Sequence, residues 1–388
     1  MENSVDGNEI EAPNNLTIGG TLRFLMAKTN VEQSKKQVIS LAIGDPARFG
    51  FNIDVAAQEA VLDSLLSGIF NGYFPTSGLP QARKAIADYL SSDLPYNSSP
   101  DYVYITSGCT QAIDMVISVL ARPGSNFLLP RPGFHTYEIC SSFRNIEARY
   151  YDLLPDNGWE VNLETVESVT DLNTVAMVVI NPGNPCGSVY SHGHLEEIAE
   201  MAGRLRIPVI ADEVFGHLAF GATPFVPMGV FGSKARIFTL GSSKRWFVPG
   251  WRLGWLVMND PSGEFRDPKL QTAEAGFLAD TNKMLMRTSN LCYDKLKEIP
   301  SVGCSFKPEG SVAFMVKLNL SVLEDMGDDK EFCLKLAKEE SLIILPGFAV
   351  GLNNWIKIAF AAEPLSIEGL RRLKAFCLRH SKQQINAA

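Results

Sequence analysis

The chain has 388 residues, is 46% hydrophobic and 20% charged, and carries a net charge of −8. That length suits two domains and a core large enough to bury a catalytic pocket. The acidic balance, with no long basic run, argues against nucleic acid or an anionic membrane as the main partner; a small anion held by local cations stays possible.

Residues 1–18 read as disordered. Met1–Asn15 is polar and acidic, without the basic and apolar regions of a secretory leader or the arginines of a transit peptide. Val38–Ile43 is a short strand running into the turn Gly44-Asp45-Pro46. Val55–Ser67 and Ala82–Leu94 have helical spacing. A strand and helix rhythm then begins. Tyr102–Thr106 is a strand, Gln111–Leu120 a helix, Ser125–Leu129 a strand broken at Pro130, and Glu147–Tyr151 another strand. Val175–Ile180 is a buried strand, Leu195–Leu205 a helix, and Pro208–Ala211 a strand ending at Asp212. Ile237–Leu240 and Gly254–Val257 follow as strands. Beyond them come helix Met284–Ile299, strand Ala313–Leu318, helix Asp329–Glu340, strands Leu342–Leu345 and Trp355–Phe360, and helix Ser366–Arg379.

Strands that are apolar on both faces and alternate with helices imply a mostly parallel, covered sheet. The expected organisation is a large α/β domain over 47–275 and a smaller α+β domain made of 19–46 plus 276–388. No run of about 18 apolar residues is present to cross a membrane. The seven cysteines are scattered without a CxxC pair, and the five histidines never take HExxH spacing. A metal-free, cytoplasmic protein with reduced thiols is the expectation.

In a parallel sheet, ligands bind beyond the carboxyl ends of the strands. The polar motifs stand there: Ser107-Gly108, Asn181 to Asn184, Asp212, and Ser242 to Lys244. A lone lysine is usually a solvated charge. Lys244 instead follows an apolar strand and precedes Trp246, Phe247 and Val248. A desolvated lysine has a lowered pKa and can attack an aldehyde. Nearby small hydroxyls and Arg252 suit an anionic phosphate. Ser107-Gly108-Cys109 joins a strand to a helix and offers backbone N–H groups to an anion. By themselves, Phe134 reads as core and the Pro- and Gly-rich stretch around Asn184 as a turn.

The segment 242–255, Ser-Ser-Lys-Arg-Trp-Phe-Val-Pro-Gly-Trp-Arg-Leu-Gly-Trp, resembles the cofactor-lysine motif of the plant branch of the tyrosine aminotransferase family. The likeness runs from about Val38 to His380. It implies the fold of pyridoxal-phosphate (PLP) enzymes of fold type I, the aspartate aminotransferase fold. It implies that Lys244 holds the cofactor as a Schiff base and that Asp212 partners the pyridine nitrogen. It assigns Asn184 to the phenolic oxygen, Phe134 to the ring face, and Ser107, Gly108, Cys109, Ser242 and Arg252 to the phosphate. Tyr73 would reach the phosphate of a second subunit, making the enzyme a homodimer. Gly44 and Lys357 would meet the substrate carboxylate.

The chain departs from that pattern in four places. Phe215 stands where many relatives have a tyrosine that donates to the phenolic oxygen. Lys357 stands where the family has a carboxylate-gripping arginine. Ser242 abuts Ser243 where relatives read Ser-x-Ser-Lys, so strain or displacement of Ser242 is expected. The stretch between Trp255 and Tyr293 is short, which removes helix and loop at the dimer interface and leaves Asp280–Arg287 to bridge the gap. The resemblance implies transamination of an aromatic L-amino acid with a 2-oxo acid. A carbon–sulfur lyase acting on cysteine conjugates is an alternative that Phe215 favours. An impaired, non-catalytic relative is a third.

Overall fold

The computed structural model describes residues 21, 39–42, 44–47, 50–259, 274–304, 306–359 and 363–382, with backbone alone for 40, 274–284 and 363–364. The expectations for 1–18, and for the loop part of the short 256–290 stretch, lie outside the described residues. The strands in chain order are β1 (Ile39–Ser40), β2 (Val103–Ser107), β3 (Asn126–Arg131), β4 (Glu147–Leu154), β5 (Glu160–Val161), β6 (Thr174–Ile180), β7 (Val209–Asp212), β8 (Ile237–Ser242) and β9 (Leu253–Asn259). After them come β10 (Val302–Gly303), β11 (Ala313–Leu318), β12 (Leu342–Ile343), β13 (Leu345–Pro346) and β14 (Trp355–Ala359). The helices are α1 (Val55–Ser67), α2 (Pro80–Ser91), α3 (Cys109–Leu120), α4 (Thr136–Ser142), α5 (Leu163–Val169), α6 (His192–Leu205), α7 (Glu274–Lys297), α8 (Asp329–Glu340) and α9 (Glu363–Arg379).

Eight strands form one sheet in the order β2-β9-β8-β7-β6-β3-β4-β5. The pairs from β8 through β7, β6 and β3 to β4 are all parallel. β9 lies antiparallel between β2 and β8, and β5 is antiparallel to β4. The fold is thus α/β on a mostly parallel sheet. Its central strand β6 is buried at every residue, yet it still alternates. Met177 and Val179 pack with Leu195, Ile198 and Ala199 of α6 on one face. Ala176, Val178 and Ile180 pack with Ile113, Val116 and Ile117 of α3 on the other. A period of two with helices on both sides is the signature of a doubly covered sheet.

A second sheet, β10-β11-β14-β13, is antiparallel throughout. Its core joins Phe314 and Val316 to Phe332 and Leu336 of α8 and to Leu370, Leu373 and Phe376 of α9. Residues 39–40 leave the N-terminal part of the chain to pair in parallel with β12.

Three expected boundaries are corrected. β3 does not break at Pro130 but runs to Arg131. Its pairing with β6 ends at Leu128 while that with β4 continues, so at Pro130 the strand has a neighbour on one side only, where a missing N–H is tolerated. The second helix spans Pro80–Ser91 rather than Ala82–Leu94, with proline at its first turn. Leu342–Leu345 is two short strands that serve two different sheets. Among the described residues no helix is long and apolar enough to cross a membrane.

Candidate active site

The cavity of interest has a volume of about 640 Å³ and lies beyond the carboxyl ends of β2, β7 and β8. β9 runs the other way, so its first residues reach the same rim. Gly44, Gly108, Cys109, Phe134, Asn184, Asp212, Phe215, Ser242, Lys244 and Arg252 all line it. Ten of the thirteen residues named from the sequence therefore meet in one place.

The lysine loop is held by its own hydroxyls. β8 stays extended through Ser242, which pairs with Gly254, and the Ser242 hydroxyl accepts from the Lys244 N–H at 3.3 Å. The Ser243 hydroxyl bonds the carbonyls of Val248 and Leu253, at 3.1 and 3.2 Å. The expected strain at Ser242 is absent: its φ of −161° is ordinary extended backbone. The amine of Lys244 lies 4.7 Å from the centre of the Phe215 ring. Burial pushes this ammonium down from the ordinary lysine range, while the charges of Asp212 and Asp45 oppose the shift.

Asp212 ends β7, 5% exposed. Burial pushes its carboxyl up, and two hydrogen bonds pull the other way. Tyr137 donates its hydroxyl to Oδ2 at 2.9 Å, and the Val214 N–H donates to Oδ1 at 3.2 Å. Tyr137 was not among the residues named from the sequence. Losing one bond to a charged group costs about 1.5–3 kcal/mol. Tyr137→Phe is therefore expected to weaken PLP binding about tenfold or more, as read by equilibrium dialysis; unchanged binding would remove Tyr137 from the site.

The first turn of α3 meets β9 at very short range. Gly108 has φ +76°, and a Cβ there would lie 2.4 Å from the Arg252 guanidinium. A Cβ on Gly254 would lie 2.4 Å from the Gly108 carbonyl carbon and 2.7 Å from the Cys109 nitrogen. Only glycines allow this approach, which brings a guanidinium beside a helix N-terminus. Arg252 donates to the carbonyls of Pro249 and Ser107, at 3.0 and 3.2 Å. Ser107 takes part through that carbonyl and does not line the cavity. Cys109 does line it, but burial, with the Asp212 charge behind it, holds its thiol well above the usual range.

Lys357 is buried in β14, 8% exposed, and also lies outside the cavity lining. It reaches the cavity through Asn184, donating to Oδ1 at 3.3 Å. Burial and the Lys244 charge push its ammonium down to about 8. Tyr73 is fully exposed and belongs to no part of this cavity.

A free buried amine, a buried hydrogen-bonded carboxylate, an aromatic wall at Phe134 and an anion cradle at Gly108 fit an aromatic aldehyde bearing a phosphate. That is the shape and chemistry of PLP.

Comparison with known proteins agrees. The family model for aminotransferase class I and II matches residues 36–273, more than half of the chain. A probable aminotransferase of Arabidopsis thaliana, TAT2, is 56% identical over 400 aligned positions covering 95% of this chain and 97% of that protein. About thirty residues of that relative therefore have no counterpart here. The S-alkyl-thiohydroximate lyase SUR1 of the same plant is 43% identical, covering 95% of this chain and 86% of that protein. The crystal structure of tyrosine aminotransferase from Leishmania infantum superposes with a TM-score of 0.80 at 27% identity, covering 96% of this chain and all of that one. This chain belongs to the class I and II aminotransferases, PLP-dependent enzymes of fold type I.

Proposed function

We propose that the protein transfers the amino group of an aromatic L-amino acid to a 2-oxo acid acceptor. The observation that carries this reading is the convergence of Lys244, Asp212 and the Lys357–Asn184 pair on a cavity walled by Phe134, Phe215, Phe247 and Trp251. Such walls favour a flat apolar side chain. When bound, PLP supplies an electron sink for the bond pair left when the substrate loses its α-proton. Lys244 attaches the cofactor and, once freed, takes that proton as a general base and returns it. Its burial favours the neutral amine that this role needs. Asp212, held by Tyr137, keeps a positive charge on the ring nitrogen. Arg252 and the N-terminus of α3 take the phosphate. Phe134 and Val214 exclude water from the ring faces, and Gly44 leaves space beside the substrate carboxylate that Lys357 attracts.

A lyase reading stands second. Phe215 offers no hydroxyl to the site, and one relative is named as an S-alkyl-thiohydroximate lyase. The test is the loaded protein with L-tyrosine plus 2-oxoglutarate, set beside a cysteine S-conjugate alone. An acceptor-dependent aromatic keto acid is expected. Pyruvate and thiol from the conjugate without an acceptor would select the lyase, and no product from either would mean an impaired relative.

The active form in this reading is a homodimer. α1 buries none of its residues, and Val61, Leu62, Leu65, Leu66, Ile69 and Phe70 all stand exposed just before Tyr73. An apolar face of that size needs a cover. Tyr73 would then enter the partner's site. Mixing Lys244→Ala and Tyr73→Phe subunits is expected to restore about a quarter to a half of wild-type activity through hybrid dimers with one intact site. Sedimentation as a monomer, or no recovery on mixing, would sink this. The seven unpaired cysteines support a cytoplasmic setting. The separate eight-stranded and four-stranded sheets support two domains, over 47–275 and over 19–46 plus 276–388.

A further inference from the structure

Asp212 ends β7, Lys244 lies two residues beyond the end of the adjacent β8, and the residue after each lies outside the cavity lining. Those successors, Arg245 and Glu213, meet behind it. Arg245 is 1% exposed, among the largest fully buried side chains of the protein. Its Nη2 donates to the Glu213 carbonyl at 2.5 Å, and its Nη1 donates to the Tyr89 hydroxyl at 2.6 Å. The guanidinium also lies 5.0 Å from the Trp255 ring and 5.4 Å from the Tyr89 ring.

The chain of bonds continues outward. Tyr89 Oη is 2.5 Å from His217 Nδ1, and His217 Nε2 is 2.7 Å from Asp93 Oδ2. A guanidinium only donates, so the Tyr89 oxygen accepts from it. With His217 protonated on Nε2 alone, the phenolic proton goes to Nδ1 and Nε2 donates to Asp93; with both ring nitrogens protonated, Tyr89 accepts from each side and Asp93 still accepts.

We propose that Arg245 is a positioning residue for the reaction, a buried brace that fixes the end of the lysine strand against the end of the aspartate strand. One cation sets the spacing of both catalytic termini through the Glu213 carbonyl, and the Asp93–His217–Tyr89 series sets the cation. Arg245 also supplies positive charge that favours the ionised form of Asp212. A neutral side chain at 245 takes a charged donor from the Glu213 carbonyl, leaving it with the Gly216 N–H, and from the Tyr89 hydroxyl, leaving it with His217, in a dry interior. A lysine offers a charge but not the planar fork that serves both at once.

This rests on the roles given above to Lys244 and Asp212. The test uses PLP-loaded wild type, Arg245→Met, Arg245→Lys and Tyr89→Phe, each followed by the pH midpoint of its visible absorption band and by kcat and KM. The brace predicts a midpoint moved by at least about half a unit in Arg245→Met, with kcat down at least tenfold and KM within about twofold. Arg245→Lys should recover part of both changes. Tyr89→Phe, which removes one hydroxyl, should shift the midpoint in the same direction by less. If Arg245→Met fails to fold, Tyr89→Phe decides alone. A folded Arg245→Met or Tyr89→Phe with wild-type midpoint and kcat would overturn the brace and leave Arg245 as packing. Wild type that takes up no PLP and shows no band would overturn the catalytic roles as well, so the two failures are distinct.

Discussion

Lys244→Ala is expected to lower turnover by about 10⁴-fold, the upper end of what one general base contributes, because this residue both attaches the cofactor and moves the proton. Borohydride treatment followed by mass measurement should fix PLP to the wild-type chain and not to the variant. Asp212, Tyr137 and Arg252 are untouched, so the variant should still bind PLP without a covalent link. A small primary amine such as methylamine should restore part of the rate, since it supplies the missing base in solution. Lys244→Arg should not be rescued in this way: a guanidinium stays protonated and fills the space where the amine would enter. A Lys244→Ala enzyme that keeps its rate within tenfold of wild type would refute the assignment. The pH dependence adds a check. The buried ammonium of Lys244 lies below the ordinary lysine range, so the neutral, base-competent form gains population at lower pH than a surface lysine would allow.

Much of this site was legible because its residues punctuate strands. Ser107-Gly108, Asp212 and Ser242 to Lys244 are abrupt polar endings to apolar runs, and each places at least one residue on the rim of the cavity. Tyr137 was not legible. It lies in a seven-residue helix with no capping side chain, and a buried tyrosine there looks like any core aromatic until the sheet brings Asp212 to its hydroxyl. Arg245 was hidden for a related reason: its partners are 32 and 156 residues away in sequence. The direction of β9 was beyond reach as well. Its residues suit a buried strand in either sense, and only the neighbours β2 and β8 make it antiparallel. α5 was missed because its cap, Asn162 accepting from the Thr165 N–H, is the one local signal in a short and mostly polar stretch. Ser107 was named with its neighbours as a source of backbone N–H groups for the phosphate; here its N–H donates to Gln111 Oε1 at 2.5 Å and its carbonyl engages Arg252.

Binding of the amino acid substrate is expected to weaken tenfold for each pH unit above about 8, and to be flat below it. The cause is Lys357. Its ammonium is pushed down to about 8 by burial and by the Lys244 charge, so it is cationic below that value and neutral above. A bound carboxylate favours the cation, which means that above pH 8 binding must take up a proton. Lys357→Arg should abolish this limb, because a guanidinium does not titrate there. It should also tighten binding about tenfold, since two parallel charge-assisted bonds replace one rotatable contact. Lys357→Met should weaken binding about 10- to 100-fold. It should do so while raising stability, and that opposite sign separates a binding role from a structural one. A lysine whose folded pKa lies near 8 rather than 10.5 opposes folding by about 3 kcal/mol at pH 7, a penalty that fades as pH rises between those values. Methionine at 357 removes that penalty along with the bond to Asn184. The measurements are spectral titration of the PLP-loaded enzyme with L-tyrosine from pH 6 to 10 and urea unfolding at pH 7. Equal affinities for wild type and Lys357→Arg across that range would show that the substrate carboxylate is held elsewhere. Wild-type affinity in Lys357→Met, with the gain in stability, would leave Lys357 as a buried charge partnered by Asn184.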